Sequence, residues 1–185
     1  MFLGMRRILC DFKSWYLRDR RGTVAIEFAF VIIPFLMLLF MQIAVSLYYF
    51  TTFSLEYSIE QAARAIRTGE AQQAGVTQGD FKSTICGLAP GFMDCDNNLR
   101  VNVVEFTDFA SVSLPQCLDD AGALVPDPPE DDSVPGEALG TVLVIACYEW
   151  TLVRNLPFIN DRLGNMSNGS LLIRAVTVFE AEPYQ

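Results

Sequence analysis

The chain has 185 residues, 51% of them apolar, and its 13 Lys and Arg against 22 Asp and Glu give a net charge of −9 with no histidine. Such a length holds one membrane anchor and one small domain of about 100–150 residues, not two large domains. The missing histidine removes the commonest general base, the commonest metal ligand and every His-dependent triad, and an acidic surface disfavours nucleic acid, so no enzyme, cofactor or nucleic-acid partner is expected.

Charge is divided along the chain. Residues 1–22 carry Arg6, Arg7, Lys13, Arg18, Arg20 and Arg21 against two Asp, net +4, while residues 23–185 carry seven basic residues against twenty acids, net −13. Ile8, Phe12, Trp15 and Tyr16 lie among the leading charges, as on a basic helix resting on anionic lipid. Residues 28–53 then give 26 consecutive positions without a charge. As a helix they span about 39 Å, against a hydrocarbon core of about 30 Å. Lys and Arg beside a membrane span stay on the cytoplasmic side, so the leader is expected inside and the acidic remainder exported. A cleavable signal peptide fits poorly, because the nearest small-residue triplet, Ala63-Arg64-Ala65, lies well beyond the span. Pro34 removes one backbone donor and is expected to kink the helix, and Tyr48, Tyr49, Phe50 and Phe53 suit the outer interface.

The helix should continue past the membrane, since Leu55, Ile59, Ala62, Ala63 and Ile66 recur at helical spacing while Glu56, Glu60, Arg64 and Arg67 line another face. Gly69 marks its stop. Thr77 and Asp80 predict a capping box on a short second helix, with Phe81, Ile85 and Leu88 on one face and Gly87 near its end. From Leu99 the pattern turns to strand through Val101, Val103, Val104 and Phe106, with a bulge expected at Val103-Val104 where the alternation slips. Residues 119–137, rich in Asp, Glu and Pro, read as a solvated, self-repelling loop, with calcium binding by its carboxylates as the weaker alternative. Residues 141–153 are apolar almost throughout, as in a strand buried on both faces, and residues 171–180 give the last strand, with Leu171, Ile173, Ala175 and Phe179 at period two. The fold class is α+β: a long N-terminal helix, its inner half transmembrane and its outer half packed on a small antiparallel sheet. The expected domains are a basic cytoplasmic leader over 1–22, the long helix over 23–68, and an exported α+β domain over 69–185.

Cys10 lies on the expected cytoplasmic side, whereas Cys86, Cys95, Cys117 and Cys147 lie on the exported side, where disulfides persist. Four cysteines allow three pairings, which the sequence leaves open; Cys86 with Cys95 and Cys117 with Cys147 is the simplest. No C-x-x-C occurs, so zinc-ribbon and thioredoxin-like chemistry has no support and no metal ligand is assigned. Asn165-Met-Ser and Asn168-Gly-Ser match the glycosylation acceptor, but Asn168-Gly-Ser reads better as a turn.

Glu27 is the informative side chain, a carboxylate at the inner edge of an apolar helix, where insertion is costly though less so than at the centre. As a purely structural residue it would reach water at headgroup depth. However, Arg20-Arg21-Gly22-Thr23-Val24-Ala25-Ile26-Glu27-Phe28 and the apolar run after it resemble the processing site of the pilins of tight-adherence (Tad, or Flp) pili. In that family a prepilin peptidase cleaves after the Gly, and a Glu-Tyr or Glu-Phe pair follows at the spacing seen here between Gly22 and Glu27-Phe28. The major pilins of that system are much shorter. A longer chain with Glu27-Phe28-Ala29, Pro34, Ala62-Ala63-Arg64 and a cysteine-bearing strand domain resembles the TadE-like minor pseudopilins, over about residues 18–68.

The resemblance implies a pilin-like fold, a processing site at Gly22, Thr23, Glu27 and Phe28, and no catalytic residue. By analogy with type IV pilins it also implies subunit assembly through Thr23 and Glu27, the carboxylate accepting the new amino group of a neighbouring subunit. Implied partners are other pilin and pseudopilin subunits, the prepilin peptidase, the inner-membrane pilus assembly platform and the lipid bilayer. The implied location is the bacterial inner membrane, single-pass, with the N-terminus cytoplasmic and the C-terminal domain periplasmic, from where the subunit can enter a pilus that serves surface attachment. The alternative is an uncleaved single-pass scaffold of a secretion or pilus complex that keeps its 22-residue leader. An envelope enzyme or sensor needs a ligand pocket that the sequence does not mark.

Overall fold

A computed structural model of the chain describes residues 23–155 and 163–183. Helix α1, Thr23–Arg67, runs 45 residues and continues through Pro34. Hydroxyls inside it turn back to the helix: Ser46 Oγ donates to the Gln42 carbonyl at 2.9 Å, Thr52 Oγ1 to Tyr48 at 3.0 Å and Ser58 Oγ to Ser54 at 2.8 Å. This leaves them harmless in apolar surroundings. The helix stops at Gly69, whose φ of 75° is open to glycine without a Cβ clash.

The chain divides into two units after Leu47. In the second, the last turns of α1 are followed by α2 (Glu70–Gln73), α3 (Gln78–Leu88), α4 (Cys95–Asn98), β1 (Leu99–Phe106), β2 (Thr141–Trp150) and β3 (Leu171–Glu180). The strands form one antiparallel sheet in the order β1-β2-β3. Thr77 caps α3 with the capping box its sequence predicts: its hydroxyl accepts from the Asp80 N–H while the Asp80 carboxylate takes the Thr77 N–H. Phe81 and Ile85 enter the core, but Leu88, expected on the same face, stays exposed, because the helix ends there and the chain turns away at Ala89.

One sheet face meets the helices. Leu55, Ile59, Ala62, Ala63 and Ile66 of α1 and Phe81 and Ile85 of α3 pack with Leu99, Val101, Val103, Val142, Val144, Ala146, Ile173, Ala175 and Phe179. The other face carries Leu143, Ile145 and Cys147, covered by Cys117, Val112 and Leu124 from the segment between β1 and β2. That second layer explains why β2 is apolar at nearly every position: it is the central strand and is buried on both sides.

Two expectations are corrected. The β1–β2 register runs without interruption from Leu99 opposite Tyr148 to Phe106 opposite Thr141, so no bulge occurs at Val103-Val104. Val104 is half-buried and pairs with Leu143, a residue of the outer face, so the strand continues without an extra residue. The acidic stretch 119–137 is a loop, but it is docked rather than solvated throughout. Its backbone takes the Gln78 N–H at Asp132 O (2.8 Å) and the Gly79 N–H at Glu130 O (3.1 Å), thereby satisfying first-turn donors of α3. Val134 inserts into the core, and Gly136 passes Gln72 and Ile66 so closely that a Cβ has no room.

Candidate functional site

The candidate site lies at the start of α1. Thr23 is its first residue and Glu27 stands one turn later, so the two share a face. Both are exposed, as are Val24, Ile26, Phe28, Phe30 and Val31 around them. No residue in the most apolar window of the helix is buried within the structure, and the helix is long and apolar enough to cross a membrane. The first-turn N–H groups of a helix lack intrahelical acceptors and carry its positive dipole end, which favours anions there. Chemically this is an apolar rod with one carboxylate, suited to receive a cation from another molecule rather than to turn over a substrate. Gly22, Arg20, Arg21 and Cys10 lie outside the described residues.

A family model described as TadE-like protein matches residues 22–64. Over that stretch the chain is similar to TadE-like proteins. The match begins at Gly22, takes in Thr23, Glu27, Phe28 and Pro34, and ends at Arg64, so the TadE-like segment is nearly coextensive with α1. No curated protein and no solved structure matches the chain.

Beyond the matched segment, the structure brings four cysteines together in two pairs, Cys86 with Cys95 and Cys117 with Cys147, each with Cα atoms 5.7 Å apart. That is within the range a disulfide requires. Cys117–Cys147 ties the long β1–β2 connection to the outer face of the central strand, and Cys86–Cys95 closes the segment between α3 and α4.

Sequence reasoning missed Asp127. Its carboxylate takes Lys82 Nζ at 2.8 Å and the Val101 N–H at 3.1 Å, and Arg100 Nε lies at 3.8 Å, so one acid pins the docked loop to both α3 and β1. No local signal marks it, since Lys82 is 45 positions away. Among the described residues no group of three His, Cys, Asp or Glu converges to hold a metal ion. Asn168 shapes a turn: its Nδ2 donates to Glu149 Oε1 at 2.8 Å and its Oδ1 accepts the Ser170 N–H at 3.0 Å, beside Gly169 at φ 79°.

Tyr148 is electrostatically perturbed. Burial of Tyr148 raises its phenol above the ordinary value, a backbone hydrogen bond at Asp94 opposes the rise, and the nearby Asp94 and Glu149 charges add to it.

Proposed function

We propose that the chain is a minor pseudopilin that takes part in assembling a Tad/Flp-type pilus, and that a prepilin peptidase cleaves it between Gly22 and Thr23. The observation that carries this reading is the TadE-like match over residues 22–64, which starts at the proposed cleavage site and covers a helix whose apolar side chains are exposed from its first turn. Proteins of that kind are structural parts of a pilus, and a carboxylate on an apolar helix is an assembly feature, not a catalytic one.

In this reading the basic leader holds the helix in the inner membrane with the acidic domain outside, following the distribution of Lys and Arg. Cleavage removes a net charge of +4 from the cytoplasmic end and creates an ammonium at Thr23. Glu27 of one subunit then pairs with Thr23 of the next among apolar side chains, where either charge alone is costly. Gly22 has no Cβ and so fits a narrow peptidase cleft.

The test is N-terminal sequencing and intact mass of the membrane-extracted protein from cells with an active prepilin peptidase. The mature chain is expected to begin at Thr23, and Gly22→Trp is expected to keep the leader attached. Recovery of full-length wild-type protein alone would establish the uncleaved scaffold instead.

A further inference from the structure

Within the second unit the last turns of α1 lie along the sheet in a fixed sense. At one end the Tyr48 ring meets Trp150 edge-on at 5.7 Å; at the other the Arg67 guanidinium sits 5.1 Å over the Phe179 ring, and the Glu182 N–H donates to Arg67 O. The two ends differ in chemistry. Glu105, Glu137, Glu180 and Glu182 gather at the Arg67 end, where Glu105 and Glu137 touch and Glu180 closes β3 opposite Thr141.

The Tyr48 end instead presents apolar side chains to solvent. The segment closed by Cys86 and Cys95 reads Gly-Leu-Ala-Pro-Gly-Phe-Met-Asp and has a single charge, Asp94, whose carboxylate is occupied in capping α4. Met93 anchors that segment in the core, while Phe92 is 52% exposed with its ring 5.8 Å from that of Phe50. Leu152, 44% exposed, lies in the short turn that follows Trp150, together with Arg154, whose Nη1 stands 4.0 Å from Glu149 Oε1 and offsets that carboxylate. Phe92 is therefore held at the level of Phe50, a residue at the outer end of the apolar run of α1. Aromatic and leucine side chains with a neighbouring Arg suit the headgroup layer, where rings sit and long cations reach phosphates.

We propose that the Cys86–Cys95 segment and the turn after β2 seat the exported domain on the outer leaflet of the bilayer, with Phe92 and Leu152 entering the layer of headgroups and upper acyl chains. The occupant of this surface is lipid, for two reasons: the patch takes in Phe50, which belongs to the outer end of the apolar run of α1, and four glutamates gather at the opposite end, away from anionic headgroups, while Glu149 at the near end is offset by Arg154. The inference rests on α1 being the membrane span.

The experiment places a photo-crosslinking phenylalanine analogue singly at positions 36, 92, 152 and 139 of the full chain, reconstituted in vesicles of phosphatidylethanolamine and phosphatidylglycerol. Leu139 is the control, an exposed apolar residue at the acidic end of the sheet, hydrogen-bonded to Ala181 beside Glu182. Leu36 reports on the span itself. Near-ultraviolet circular dichroism of each variant verifies the fold. Lipid adducts at 92 and 152 several-fold above those at 139, with strong adducts at 36, are expected. Strong adducts at 36 but none at 92 above the level at 139, or adducts at 92 only to a second copy of the chain, would overturn the seating while leaving the anchor intact. Absence of lipid adducts at 36 would overturn both.

Discussion

Helix α1 contains two regions that differ in what they ask of their surroundings. From Thr23 to Leu47 it is apolar on all sides, and its large side chains stay exposed; Phe30 reaches 78%. From Tyr48 to Arg67 one stripe is buried, with Leu55 and Ile66 fully so, while Tyr49, Phe50, Phe53 and Tyr57 join Glu56, Glu60, Arg64 and Arg67 on the exposed side. An amphipathic stripe needs one surface and finds it in the sheet of the same chain. A helix apolar all round cannot be satisfied by one face and requires lipid or other apolar helices on every side. The teaching is that continuous hydrogen bonding does not make a helix one functional element: its first region is built for partners outside the chain, its second for the chain itself.

Side-chain truncation breaks the comparison most sharply. Leu55→Ala leaves a cavity between α1 and the sheet and is expected to cost about 2–5 kcal/mol. Leu38→Ala, in the first region, is expected to change domain stability by less than about 0.5 kcal/mol. Urea unfolding in detergent, followed by near-ultraviolet circular dichroism, measures both; equal losses would show that the two regions are not distinct.

Among the described residues the disulfides lie in the second unit. Cys117 and Cys147 are 30 positions apart, and the chain-entropy model gives about 3–4 kcal/mol for closing a loop of that size. Cys86 and Cys95, nine apart, contribute about 2–3 kcal/mol by the same model. The Cys117→Ser/Cys147→Ser chain should therefore unfold at lower urea than the Cys86→Ser/Cys95→Ser chain, with the helicity of the first region retained in both. Alkylation without reductant is expected to find no free thiol at these four positions.

A smaller effect appears at high pH. The folded domain holds the Tyr148 proton more tightly than the unfolded chain, whose phenol keeps the ordinary value of 10.0. The resulting stability is fully present below pH 10.0 and declines as pH rises from there through the folded value. Tyr148→Phe removes the proton, so the variant should lose less stability than wild type in unfolding measurements taken across that alkaline window.

Glu27 marks the opposite limit, with no expected change in domain stability. Glu27→Ala and Glu27→Gln should both leave the second unit folded and the leader cleavable, and both should reduce recovery with the pilus machinery, since the proposed role depends on charge rather than shape. Co-purification of cleaved wild-type and variant proteins measures this. Equal recovery would reduce Glu27 to an interfacial residue.

Much of this molecule was legible before its structure, for local physical reasons. The apolar run, the stop at Gly69, the Thr77 cap with Asp80 and the three strands depend on residues within a few positions of one another, and neighbours in sequence report them. The proposed site at Gly22, Thr23, Glu27 and Phe28 rests in the same way on a contiguous pattern. What tertiary structure decided lies between residues far apart. Val104 breaks the apolar alternation of β1, and only pairing with Leu143 on the outer face shows that the strand runs through it without a bulge. Asp127 looks like one more solvated acid until folding brings Lys82, Arg100 and the Val101 N–H to it. The sequence by itself determined which segments are helix, strand and long apolar run; only the folded chain decided which cysteines meet, which acid is a tether and which apolar residues stay exposed, because those outcomes are set by distance in space rather than by spacing along the chain.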